Sequence, residues 1–173
     1  MSTVIDGSAS VTINSGVILG IQSGTAVAST SGTSIDFTAL PAWVKRITVM
    51  MSNVSTSGTS NFLLQMITGA STIVTSGYGS SASAGASGAT STAGNILSAV
   101  VGAGTNFNIA ATCCLVTGNT WLTTSVAGTI TSNAGNISGG NITLGAALTG
   151  VRITTVNGTD TFDAGTINIL YEG

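Results

Sequence analysis

No stretch of this sequence sustains the repeat of an amphipathic helix. Thr, Val and Ile instead recur with a period of two between clusters of Gly, Ser and Asn. The 24 glycines punctuate these runs, and Pro41 is the only proline. This is the grammar of an all-β chain, because β-branched residues suit a pleated surface and glycine supplies the turns. At 173 residues there is room for one domain with a real core, since single domains cluster at about 100–200 residues.

Read along the chain, residues 1–33 form an arm. It carries one alternating segment (Val11-Thr12-Ile13), an apolar patch (Val17-Ile18-Leu19) and a Ser/Gly/Thr linker through Ser29-Thr30-Ser31-Gly32. Residues 34–173 form the head. Ile35 and Phe37 alternate with Asp36 and Thr38, and a turn at Leu40-Pro41-Ala42-Trp43, with Trp43 in the core, leads into a strand from Val44 to Met51. There Ile47, Val49 and Met51 share one face. A turn over Asn53–Gly58 precedes a strand from Asn61 to Thr68, apolar on both faces and therefore sandwiched between two buried surfaces.

Residues 79–94 carry no large side chain and read as a long surface loop. Further strands are expected at Ile96–Val101, Asn106–Val116 and Trp121–Ile130, with a loop at Ser138-Gly139-Gly140-Asn141. Near the end, Asn157-Gly158 lies between two β-forming runs, the strongest short signal for a tight hairpin turn. Strands at this spacing with no helices between them predict an antiparallel β-sandwich of jelly-roll type.

Charge is scarce, with three cations and five carboxylates in the whole chain. Lys45, Arg46 and Arg152 cannot neutralise several phosphates together, which excludes a nucleic-acid partner. Mean hydropathy is +0.55, yet no run of 18 apolar residues occurs, so a membrane span is not expected. A chain this apolar and this poor in charge is expected to bury surface against copies of itself or a larger assembly, because interface cores are depleted in charge.

Chemistry is limited by the absence of His, which removes the usual general base and the commonest metal ligand. No catalytic residue, cofactor or metal site is assigned. Lys45 adjoins Arg46 at a strand start and reads as solvated or interface charge. Asp160 and Asp163 could hold an ion or form a carboxylate pair, but turn chemistry at Asp163-Ala164-Gly165 accounts for them more simply. Arg152 is expected to pair with Asp160, Asp163 or Glu172. Cys113 and Cys114 are adjacent, so in a strand they point to opposite faces and read as small buried hydrophobes without a disulfide. For recognition, Tyr78 beside the long loop and Trp121 after Gly118-Asn119-Thr120 are the receptor-contact candidates, as rigid aromatics at loop edges stack on sugars; core or interface packing is the simpler expectation for each.

Three segments carry a resemblance. They are residues 34–38 (Ser-Ile-Asp-Phe-Thr), residues 40–50 (Leu-Pro-Ala-Trp-Val-Lys-Arg-Ile-Thr-Val-Met) and residues 151–172, from Val151-Arg152-Ile153 through Asn157-Gly158-Thr159 to Leu170-Tyr171-Glu172. Together they resemble a module of tailed-bacteriophage and prophage tail-fibre-like proteins, bracketing residues 34–173. The resemblance implies a homotrimeric virion protein, made in the bacterial cytoplasm, that is a short fibre or tail-tip adhesin. Its arm would meet other virion proteins and its head a host glycan or protein. In that family the module usually ends a longer fibre. The short arm fits a capsid decoration or head-fibre protein as well.

Overall fold

The computed structural model describes residues 11–13, 16–18, 20–99, 101–130 and 135–173. Leu19, in the expected apolar patch, and Val100, in the expected strand 96–101, lie outside the described residues. Among the described residues there is no helix, and every strand pairing is antiparallel.

The arm contributes four short strands, β1 (Val11–Ile13), β2 (Gly16–Ile18), β3 (Gln22–Ser23) and β4 (Val27–Ala28). Then come β5 (Ile35–Phe37), β6 (Arg46–Thr56), β7 (Phe62–Thr68) and β8 (Thr72–Ile73), followed by β9 (Gly79–Ala84), β10 (Ser87–Ser91) and β11 (Asn95–Ile96). The chain finishes with β12 (Phe107–Thr117), β13 (Thr120–Thr129), β14 (Gly135–Thr143), β15 (Leu148–Thr155) and β16 (Phe162–Glu172).

These strands build a nine-stranded sheet in the order β10-β9-β14-β13-β12-β6-β16-β3, with β4 also on β16. A five-stranded sheet has the order β11-β7-β15-β5, with β8 also on β7, and β1 and β2 pair with each other. The two large sheets share one core. Phe62 of β7 meets Phe107 of β12 edge-on at 5.7 Å and stacks on Phe162 of β16 at 6.4 Å, and all three rings are buried. Ile47, Val49 and Met51 fill the same core from β6, as their alternation predicts. Every residue of β7 is buried, matching its two apolar faces. Trp43 is only half-buried, packed on the core edge against Tyr171.

Several expected loops are strands instead. Within residues 79–94, β9 and β10 form a hairpin from Gly79 to Ser91, whose small side chains let it lie close against β14. Ser138–Asn141 falls inside β14. A side chain at Gly140 would run into Asn95 Oδ1 and stand 2.9 Å from the Gly79 carbonyl, so glycine marks a close approach and not a turn. The expected turn over Asn53–Gly58 begins as strand: β6 continues to Thr56 through a bulge at Asn53 (φ 52°), whose N–H donates to Asn108 Oδ1 at 3.0 Å. A matching irregularity in β16 places Gly165 (φ 96°) against the Asn53 backbone, so the Asp163–Gly165 segment is a bulge within a strand and not a turn.

The expected strand at 96–101 is paired only at Asn95–Ile96. Beyond it the chain crosses the inner side of the large sheet as an irregular, buried segment, and side chains take over from the ladder. Ile96 N–H donates to Ser80 Oγ at 2.8 Å, Ser125 Oγ donates to the Leu97 carbonyl at 3.1 Å, and Ala99 N–H donates to Asn136 Oδ1 at 2.8 Å. Buried backbone groups need such partners, which explains why Ser80, Ser125 and Asn136 sit inside.

The Asn157-Gly158 hairpin is also revised. A turn is present, with Gly158 at φ 66° and its N–H donating to the Thr155 carbonyl at 3.0 Å. However, β15 belongs to the five-stranded sheet and β16 to the nine-stranded one, so the turn carries the chain between sheets. Asn157 Oδ1 accepts the N–H groups of Thr159 and Asp160, a side-chain-capped turn that the Asn-Gly pair serves equally well.

Candidate functional site

Neither aromatic receptor candidate faces outward. Tyr78 is 3% exposed; its hydroxyl accepts the Met66 N–H at 2.7 Å and donates to the Val74 carbonyl at 3.1 Å, tying the approach to β9 onto β7. Burial pushes its pKa up to about 12. Trp121 is 3% exposed and packs in the core. The alternation of β13 carries Trp121 inward, although it follows a turn.

The described carboxylates each hold a local bond. Arg152 grips Asp36 with two hydrogen bonds of 2.7 Å across the β15–β5 pair, not the C-terminal acids expected, because Arg152 and Asp36 are register partners. That bond raises the Arg152 pKa. Arg46 pairs with Glu172, its register partner on β16. Asp163 accepts from Ser55, while Asp160 accepts from the Ser60 N–H at 2.9 Å and Asn157 Nδ2 at 2.6 Å. The two aspartates of the Asp-x-x-Asp spacing thus serve different neighbours, and no group of three potential metal ligands occurs among the described residues.

Cys113 and Cys114 are free and alternate as a strand requires. Cys113 is fully buried, accepts the Thr123 hydroxyl at 3.4 Å and has its pKa pushed up to about 12 by burial. Cys114 is half-buried on the opposite face.

That opposite face, the outer side of the nine-stranded sheet, is the most unusual surface of the molecule. Val126 and Ile137 are register partners on β13 and β14, each 65% exposed, and Leu122 lies on the same side of β13 at 46%. Val116 and Ile130 add to this group, so five of the seven exposed large hydrophobics lie on β12–β14 or one residue beyond. Strands β9, β10, β12, β13 and β14 contain no charged residue at all. Between the apolar side chains the face is paved with Gly, Ala, Ser and Thr, which leave it flat. The depression along Ser81, Ser83, Ile137 and Gly139 is shallow and open. A second groove, about 270 Å³, runs between β5 and β16 beside Tyr171, Asp36 and Thr25.

Sequence reading missed Leu122, Val126 and Ile137 as surface residues. For Leu122 and Val126 the signal lay in residues 106–130, where alternation places apolar residues at both parities and no charge appears at either. The sequence matches no protein-family model and no curated protein.

Proposed function

We propose that the chain is a structural protein of a bacteriophage virion, a short fibre or tail-tip adhesin. Its C-terminal part would form a trimeric, jelly-roll-like β-sandwich head that touches the host surface through its loops. The observation that carries this reading is the broad uncharged outer face of the nine-stranded sheet. A domain that works alone in water keeps such faces hydrated with charge, whereas an assembly subunit buries them. The resemblance of residues 34–50 and 151–172 to fibre modules supports the same reading, and these segments supply β5, the first five of the eleven residues of β6, most of β15 and all of β16. The trimer rests on the resemblance alone.

Residues 1–33 are the attachment arm in this proposal. Its later part is already engaged: β3 and β4 pair with β16, and Ser29 bonds the backbone of Ala164 and Gly165. Contact with other virion proteins therefore falls to residues before Gln22. A capsid decoration or head-fibre protein is the second reading. It is favoured because residues 22–33 lie along the head's own sheet and build no shaft.

Purified particles test both readings. The protein should be detected in them by mass spectrometry, and a virion map should place it at the tail tip for an adhesin or on the capsid lattice for a decoration protein. Particles that lack it altogether would refute the proposal.

A further inference from the structure

We infer that the outer face of β12–β13–β14–β9 is where a second copy of this chain docks, with Leu122, Val126 and Ile137 at the centre of the contact. The inference deepens the assembly reading above by naming its partner and its surface.

Size is the first argument. At about 4.8 Å between strands and about 3.3 Å per residue, the four adjacent strands β12, β13, β14 and β9 spread over about 600 Å². One partner in a standard stable interface buries about 800 Å². The face thus supplies most of the area that a specific contact needs.

Composition selects the partner. Contacts between copies bring like groups near one another, so a charge there tends to meet its own kind across the interface and repel it. This face avoids that cost because its four strands carry no charge and Arg46, at the β6 margin, is paired with Glu172. It also offers no charge by which a nucleic acid, an acidic peptide or a basic protein would be recognised. What remains is flat, apolar and hydroxyl-rich, which suits the uncharged surface of another copy of this chain. Gly139 and Gly128 have open space where a side chain would stand, which permits close approach of another sheet.

Val126→Lys and Ile137→Lys, made singly, place an unpaired charge in the proposed contact at positions too exposed to disturb the fold. By sedimentation and light scattering the wild type should exceed its 16.8 kDa monomer mass. Each variant should associate about a hundredfold more weakly. Val156→Lys, at an exposed apolar residue beside the Asn157 turn, should associate like the wild type. Cys114 gives a readout without mutation on the face, since its reactivity toward a thiol reagent should rise as the wild type is diluted through dissociation. A monomeric wild type, Lys variants that keep wild-type stoichiometry and affinity, or Cys114 reactivity independent of concentration would each overturn the inference. Incorporation into particles is scored separately. Wild type present in virions but assembled through another face sinks this inference and leaves the virion reading standing, while association through this face with no protein in particles does the reverse.

Discussion

Under β6, β12 and β16 the interior is filled by Phe107, Phe162 and the isoleucines and valines around Phe62, whereas under β9, β13 and β14 the polar Ser80, Thr123, Ser125 and Asn136 stand among Ala82, Trp121, Ala127 and Ile142. The first region is covered by a regular sheet, β7 and β15, whose backbone is satisfied by its own ladder. The second is covered by residues 95–99, which have only two ladder residues and, apart from Leu97 N–H donating to the Phe62 carbonyl at 2.9 Å, draw hydrogen bonds from side chains beneath them. One half is held by buried apolar area, the other by apolar area together with directional bonds. The difference teaches that buried polarity here follows from an irregular cover, not from a site.

The largest effect should come from the apolar half. Phe62→Ala removes a fully buried ring that touches both Phe107 and Phe162, and neighbours drawn from two sheets cannot easily collapse into the space. The expected cost is about 3–5 kcal/mol. Since single domains are stable by only about 5–15 kcal/mol, the variant should unfold at much lower denaturant. A midpoint close to wild type would mean that the two sheets are not joined through this ring.

Next is an alkaline transition. Cys113 and Tyr78 both have folded pKa values pushed up to about 12, chiefly by burial, from ordinary values of 9.0 and 10.0. The unfolded chain therefore loses these protons first as pH rises. Their contribution to stability is whole below pH 9 and is lost as pH climbs toward about 12, on the order of 4 kcal/mol for Cys113 and on the order of 3 kcal/mol for Tyr78. Cys113 lies at the seam of the two halves, bonded to Thr123. Cys113→Ala and Tyr78→Phe should each flatten the fall in stability above pH 9, measured by denaturant titration at several pH values. An unchanged pH profile in both variants would show that these groups are not buried as neutral acids.

How much of this was legible in the sequence divides along the same line. Where a strand packs on apolar side chains, alternation is enough: Ile35 and Phe37, Ile47 to Met51 and the two-faced run Phe62–Thr68 are where the pattern puts them. Where backbone meets backbone or a polar interior, residue type misleads. Ser and Gly in 79–94 and 138–141 read as loops, because the usual signal of a strand is a large side chain, and these strands are small so that others can approach. Asn157-Gly158 announces a turn but not whether its flanking strands pair. Likewise Tyr78 and Trp121 adjoin turns in sequence, while strand parity and hydrogen bonding to β7 decide their burial. The outer face was illegible for a related reason. Leu122 and Val126 look like core until the opposite parity, Trp121 with Thr123 and Ser125, is seen to hold the inside.

The smallest effect should arise in the polar half, and it separates need from ornament. Asn95 Nδ2 donates to Thr123 Oγ1 at 2.9 Å, both residues are 1% exposed, and Asn95 Oδ1 has no hydrogen-bond partner. Thr123→Val keeps the shape but strands the Asn95 amide, and should cost about 1–3 kcal/mol, the penalty of a buried group left without its bond. Adding Asn95→Leu removes the stranded group as well. Replacing both partners by apolar groups of similar shape can be nearly neutral, so the double variant should be more stable than Thr123→Val alone and within about 1 kcal/mol of wild type. Equilibrium unfolding of the four proteins in this cycle gives the answer. If the double variant is instead the weakest of the four, the pair is needed to position residues 95–99 on β13, and the polar half of the interior owes its residues to placement of the cover as well as to hydrogen-bond satisfaction.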